Sequence, residues 1–219
     1  MKDIPIALKS DAPKTEFPFD TTRILDVVIA ATALIFFAPL MLLTALIIKL
    51  QDGGPIFFGH TRIGRGGRAF KCLKFRSMVV DAEERLHRLL ERDPVARQEW
   101  AADQKLRVDP RITAFGAALR KSSLDELPQL LNVLRGEMSI VGPRPIVQAE
   151  VVRYGRAYRY YCKVRPGITG LWQVSGRNDV SYRQRVALDA LYARSRSLGL
   201  NVSIILRTIP AVLLRKGSY

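Results

Sequence analysis

The longest uninterrupted apolar pattern in the chain runs from Val27 to Ile48, twenty-two residues (VVIAATALIFFAPLMLLTALII) without a charge. As a helix this stretch is roughly 33 Å long, about the thickness of a hydrocarbon core. Pro39 sits near its middle. A proline there removes one helix hydrogen bond and clashes with the carbonyl four residues back. Two outcomes follow. A kinked helix can still span a bilayer, or the helix can turn back at Pro39 and leave by the face it entered. A buried core helix is the competing reading. A signal peptide fits poorly, because the preceding tail is long, contains three prolines and lacks a small-residue cleavage site after it.

Beyond Gly53-Gly54-Pro55 the pattern changes period. Ile56–Phe58 and Ala69–Phe75 read as short strands, with Gly59–Arg68 between them as a hairpin loop or a basic, phosphate-facing loop. Asp81 is placed to cap a helix reaching about Arg92, with Leu86, Leu89 and Leu90 at helical spacing. Ile112–Arg120 and Leu127–Leu134 read as helices, the second stopping at Gly136. Ile140–Asn178 is punctuated by Gly142-Pro143-Arg144-Pro145, Arg165-Pro166-Gly167 and Gly170. Ser181 and Gln184 form a capping-box pattern opening a helix that Gly199 can end. Val202–Leu214 is apolar but too short to span, and suits a helix at a membrane surface or a core helix.

Charge sharpens this picture. The 219-residue chain carries a net charge of +15, and residues 1–23 and 24–50 are each neutral, so the whole excess lies in residues 51–219. Such a field attracts polyanions: nucleic acid, anionic lipid or phosphorylated substrates. From Lys49 to Arg76 seven Lys or Arg face only Asp52, which makes this flank cytoplasmic by the positive-inside rule. Ile140–Asn178 holds seven Arg or Lys against Glu150, in rigid turns able to present cations and amides to an anion. Cys72 and Cys162 lie far apart and read as reduced thiols, and with only His60 and His87 no zinc spacing occurs. No helix-turn-helix, zinc or RNA-binding signature accompanies the basic charge, which argues against nucleic acid.

Within this basic domain stands an acidic pair, Asp125-Glu126. Ser123-x-x-Glu126 fits a capping box, in which both acids favour the helix dipole. Pro128 opposes that reading, since its ring would meet the carbonyl of Leu124; a helix opening at Asp125 or later avoids the clash. Carboxylates at such an entrance, among arginines, can hold Mg2+ against a phosphate or attack phosphorus themselves.

Three stretches carry a resemblance: KFRSM at Lys74–Met78, RKSSLDELPQLLNVLRGEMSIVGPRP at Arg120–Pro145 and VRPGITGLWQVSGRN at Val164–Asn178. In these motifs and their order the chain resembles, from about Arg23 onward, the bacterial sugar transferase family, the monotopic polyprenyl-phosphate phosphoglycosyl transferases. The resemblance implies a predominantly helical α+β fold. It would comprise a tail (1–22), a re-entrant membrane helix broken at Pro39 (23–50) and a cytosolic catalytic domain with amphipathic interfacial helices (51–219), at a bacterial inner membrane. It implies transfer of a sugar-1-phosphate from a UDP-sugar to undecaprenyl phosphate, release of UMP and initiation of a surface glycan for downstream glycosyltransferases. The oligomeric state is left open. Asp125 matches the family's nucleophile and Mg2+ ligand, and Glu126 its acidic partner. Arg120 and Arg144 match phosphate or nucleotide contacts, and Lys74 and Arg76 the basic residues of the first motif. The closeness to short exopolysaccharide-initiating members implies galactose or glucose as the sugar. One departure is Ala38-Pro39, where many members have Ser-Pro; a serine hydroxyl can satisfy a carbonyl freed by the proline, and alanine cannot.

Overall fold

The computed structural model describes residues 21–103, 106–176 and 180–213. Expectations for the N-terminal tail, for Arg177-Asn178 and for Leu214–Lys216 fall outside the described residues. Helix α1 (Thr21–Asp52) carries the apolar segment and is long and apolar enough to cross a membrane. The expected break at Pro39 is not seen: the helix continues through it. Its course is set by what holds its ends.

Both ends are held by the same domain. In the first turn, Arg23 donates to the carbonyls of Val133 and Leu134 at 2.7 and 3.1 Å. Asp26, buried, accepts from the Ser139 hydroxyl and the Ile140 amide, each at 2.8 Å. At the other end Ile48 is fully buried against Phe75 and Leu119, a burial worth roughly 1.5–3 kcal/mol. Asp52 takes a two-pronged ion pair from Arg76, one arm at 2.8 Å. Between these anchors Ile35, Phe36 and Leu42 are more than 70% exposed, an apolar surface that the domain leaves uncovered.

Strands β1 (Phe57–Ile63) and β2 (Ala69–Phe75) pair antiparallel, from Phe57 opposite Phe75 to Ile63 opposite Ala69. The expected loop at Gly59–Arg68 is therefore shorter. The first strand extends through Ile63, because Gly59, His60 and Thr61 gain ladder partners on β2, and only Gly64–Arg68 turns. Helix α2 (Ala82–Arg92) follows Asp81, whose carboxylate bonds Arg85 at 3.0 Å instead of capping the backbone. It is followed by α3 (Pro94–Asp103) and α4 (Ala114–Ser122).

Helix α5 (Gln129–Leu134) and strand β3 (Ser139–Val141) build the centre. Helices α6 (Val151–Tyr154) and α7 (Tyr158–Tyr161) lie in the crossover to β4 (Gly167–Thr169), which pairs parallel with β3. This crossing is close: a Cβ on Gly142 would stand 2.4 Å from the Arg165 carbonyl oxygen. Helices α8 (Leu171–Val174), α9 (Tyr182–Ser195) and α10 (Leu198–Leu213) close the domain. The Ser181/Gln184 capping box opens α9 as its pattern indicates. Gly199 does not end it. The extended backbone at Arg196 does, and the Ser197 hydroxyl then accepts from the Leu200 amide to start α10. One face of α10 buries Ile204, while Leu198, Val202, Leu206 and Ile209 remain exposed along another.

On the buried face of α9, Asp189 is fully enclosed and accepts from the Tyr154 hydroxyl at 2.7 Å. Burial pushes its carboxyl up to about 7, against the opposing pull of that bond, Arg185 and Arg144. The folded state thus keeps this proton while an exposed aspartate ionises near 3.8. Its contribution to stability is full in acid and is lost as pH rises through about 7. Asp189→Asn removes the ionisation. The melting midpoint of wild type relative to this variant is expected to fall between pH 5 and 8; a constant difference would contradict an ionising Asp189.

Candidate active site

The alternation of a β-hairpin builds one wall of the site. Residues directly opposed across β1 and β2 share a face, so Phe58 with Lys74 and His60 with Cys72 stand together, and Arg62 follows on the same side. All five line a cavity of about 840 Å³, with Arg76, Arg120, Asp125, Glu126 and Arg144. The Asp125-Glu126 pair, Lys74, Arg120 and Arg144, drawn from distant stretches of the sequence, thus meet in one space.

Asn132 on α5 sets this meeting. Fully buried, it accepts from the Leu73 amide at 2.9 Å and donates to the Lys71 carbonyl at 2.8 Å. It thereby acts as a ladder partner for the free edge of β2 and locks α5 against that strand. Breaking such buried bonds costs about 1–3 kcal/mol. The lock brings Lys74 to the turn just before α5.

That turn resolves the choice left open by Pro128. Ser123 takes a left-handed conformation (φ 59°) as the C-cap of α4. Leu124–Glu126 then form a single 3-10 turn, and α5 starts only at Gln129. The Ser123 side chain makes no cap bond. The acids therefore occupy the joint between two helices, and Asp125 is buried while Glu126 is half-exposed. Lys74 Nζ lies 2.6 Å from Glu126 Oε1 and 3.5 Å from Asp125 Oδ2. Burial raises the Asp125 carboxyl above its ordinary value; Lys74 opposes this, Glu126 adds to it and Arg120 opposes it.

The arginines differ in what they can offer. Arg144 is exposed, lines the cavity and forms no ion pair among the described residues. Arg120 reaches Ser77 Oγ through Nε at 2.8 Å. Its helix comes close because residue 116 is glycine: a Cβ there would sit 2.0 Å from the Ser77 carbonyl oxygen. Arg76 lines the cavity too, but its guanidinium is bound to Asp52 and the Ile48 carbonyl. In this structure it fastens α1 to the cavity wall.

His60 and Arg62 are cavity residues that sequence reasoning did not single out. The signal was available in the alternation of FxHxR, obscured by Gly59. Arg62 Nη2 lies 3.1 Å from His60 Nδ1. Arginine can only donate, so Nδ1 accepts and the ring proton sits on Nε2. Burial and the charges of Arg62, Lys74 and Lys71 hold the imidazole below its usual value. The Cys72 thiol is pushed by burial to about 11, so it is not a thiolate at neutral pH. Among the described residues no group of three His, Cys, Asp or Glu is arranged for a metal. Two adjacent carboxylates nonetheless suit Mg2+, which takes one or two such ligands and completes its shell with phosphates and water.

Residues 19–215 match the family model described as bacterial sugar transferase. The chain belongs to the bacterial sugar transferase family. It is similar to the exopolysaccharide production protein ExoY of Rhizobium meliloti, 54% identical over 90% of this chain and 87% of the relative. It is also 51% identical to the undecaprenyl-phosphate galactose phosphotransferase of Salmonella typhimurium, over 90% of this chain but only 41% of that longer protein. The UDP-glucose:undecaprenyl-phosphate glucose-1-phosphate transferase of Caulobacter vibrioides is 43% identical over 90% of this chain and 71% of its own length. In this sugar transferase the matched region includes α1 and every cavity residue named above.

Because Lys74 lowers the Asp125 carboxyl, Lys74→Met is expected to raise it further. If sugar transfer uses the Asp125 carboxylate, the acid limb of the kcat/KM profile moves to higher pH in Lys74→Met. An unmoved limb would show that the two groups are not coupled in turnover.

Proposed function

We propose that the protein transfers a sugar-1-phosphate from a UDP-sugar to undecaprenyl phosphate, with Asp125 as nucleophile, and so initiates an exopolysaccharide or other surface glycan. The observation that carries this is a buried carboxylate facing a basic cavity that adjoins the end of an apolar helix. Among the other groups in the cavity, Cys72 keeps its proton and His60 is a weak, neutral base. Asp125 is the cavity's best-placed anion for attack on phosphorus.

In the first step an Asp125 oxygen bonds to the phosphorus that bears the sugar, and the bond from that phosphorus to UMP breaks. In the second, a phosphate oxygen of undecaprenyl phosphate attacks the same phosphorus and frees the carboxylate. Lys74, Arg120 and Arg144 offset charge on the phosphates. Glu126 positions the acceptor phosphate or takes its proton. Mg2+, held by Asp125 with Glu126 beside it, would add Lewis-acid neutralisation of the diphosphate when bound. The names of the relatives support galactose or glucose as the sugar.

The acceptor's lipid tail fixes the setting. Arg76 and Pro55 in the cavity wall adjoin the last turn of α1, so a headgroup entering beside that turn meets the acids. Since one domain holds both Arg23-Asp26 and Ile48-Asp52, we take α1 to dip into the inner membrane and return, with the domain on the cytoplasmic side. The basic flank Lys49–Arg76 supports that orientation.

Asp125→Asn is expected to abolish transfer to undecaprenyl phosphate across a panel of UDP-sugars, and Glu126→Gln to slow it by about 10²–10⁴-fold. Wild type given donor alone should gain the mass of a phosphosugar on Asp125. Retained turnover in Asp125→Asn would overturn the nucleophile assignment.

A further inference from the structure

Away from the cavity, α7 and α9 bring three cations around one ring. Arg159, Lys163 and Arg194 stand 4.8, 5.6 and 5.7 Å from the centre of Tyr160. Arg159 also donates to the Tyr160 hydroxyl at 2.9 Å. All three cations are exposed, and none pairs with a carboxylate among the described residues. The surrounding stretch Arg153–Arg165 carries five Lys or Arg and no acid. Like charges gathered this way repel one another until an anion arrives. The ring offsets part of that repulsion through its face.

The position of the cluster indicates which anion. Two residues past Arg194, Arg196 hydrogen-bonds the hydroxyl of Thr22 in the first turn of α1. Two residues past Lys163, Arg165 donates to the Gly136 carbonyl at 2.8 Å, next to Leu134, which Arg23 of α1 engages. The cluster therefore lies beside the point where α1 leaves the domain. It also heads the exposed apolar stripe of α10: Leu191 and Leu198 flank Arg194, and Val202, Leu206 and Ile209 continue the line. Cations and a tyrosine at the edge of an apolar stripe match the headgroup level of a bilayer.

We infer that Arg159, Lys163 and Arg194 around Tyr160 form a docking site for the phosphate of an anionic phospholipid, which seats the domain on the membrane at the first turn of α1. The inference rests on the membrane reading above. The apolar stripe supplies contact without direction, and the cation cluster selects lipids by charge.

The full chain is to be reconstituted in nanodiscs of equal parts phosphatidylcholine and phosphatidylglycerol, and the lipid retained after gentle detergent extraction measured by mass spectrometry. Wild type is expected to retain phosphatidylglycerol over phosphatidylcholine by about threefold or more. Arg159→Gln/Lys163→Gln/Arg194→Gln should fall to the bulk ratio, and Arg194→Gln alone to an intermediate one. The charge-preserving Arg159→Lys/Arg194→Lys should keep the enrichment, as should Arg85→Gln/Arg88→Gln/Arg97→Gln on α2 and α3. Wild type at the bulk ratio, or a triple glutamine variant as enriched as wild type, would overturn the docking site. Failure of wild type to enter the discs would instead overturn the membrane reading beneath it.

Discussion

A long apolar helix gripped at both ends by one small domain is the constraint from which the rest of the structure follows. Arg23 and Asp26 fix the first turn of α1 to the end of α5 and to β3, and Ile48 and Asp52 fix the last turn to Phe75 and Arg76. Neither grip is a surface salt bridge of negligible worth. Asp26 is buried with its donors, and Arg76 is buried along its side chain. Because Arg76 follows β2 directly, the second grip also fixes the strand that carries Lys74. The end of the apolar helix and the wall that carries Lys74 are thus tied through adjacent residues, Phe75 and Arg76.

The acid pair shows how a basic domain tolerates a buried carboxylate. Desolvation works against ionised Asp125, and Lys74 offsets it from 3.5 Å while making its shorter contact to Glu126. Sharing that cation leaves Asp125 partly uncompensated, and its carboxyl stays above the ordinary value. Arg120 and Arg144, which form no ion pair among the described residues, also line the cavity, and the charge of Arg120 favours the ionised form of Asp125.

Much of this was legible in the chain. The apolar segment, the Ser181 capping box, both strands of the hairpin and the acid pair were readable because each follows from local sequence: apolar length, cap spacing, alternation, a proline that forbids a longer helix. Two of the differences share one cause. Gly59 and Gly199 look like breakers in the sequence, yet the ladder to β2 carries the strand through the first and Ser197 starts a helix before the second. The role of Arg76 could not be read, since a motif arginine near phosphate-binding residues looks the same whether it faces a substrate or Asp52. Asn132 was equally silent, because its bond to the edge of β2 joins residues about sixty positions apart.

Whether α1 returns to the face it entered is tested most directly by chemical access to its two ends. With Cys72 and Cys162 replaced by alanine, Thr21→Cys and Gln51→Cys would each be exposed to a membrane-impermeant maleimide in spheroplasts and in inside-out vesicles. A returning helix predicts that both cysteines react only in inside-out vesicles. Reaction of Thr21→Cys from the outside of spheroplasts, with Gln51→Cys protected, would show a spanning helix and contradict the two-ended grip.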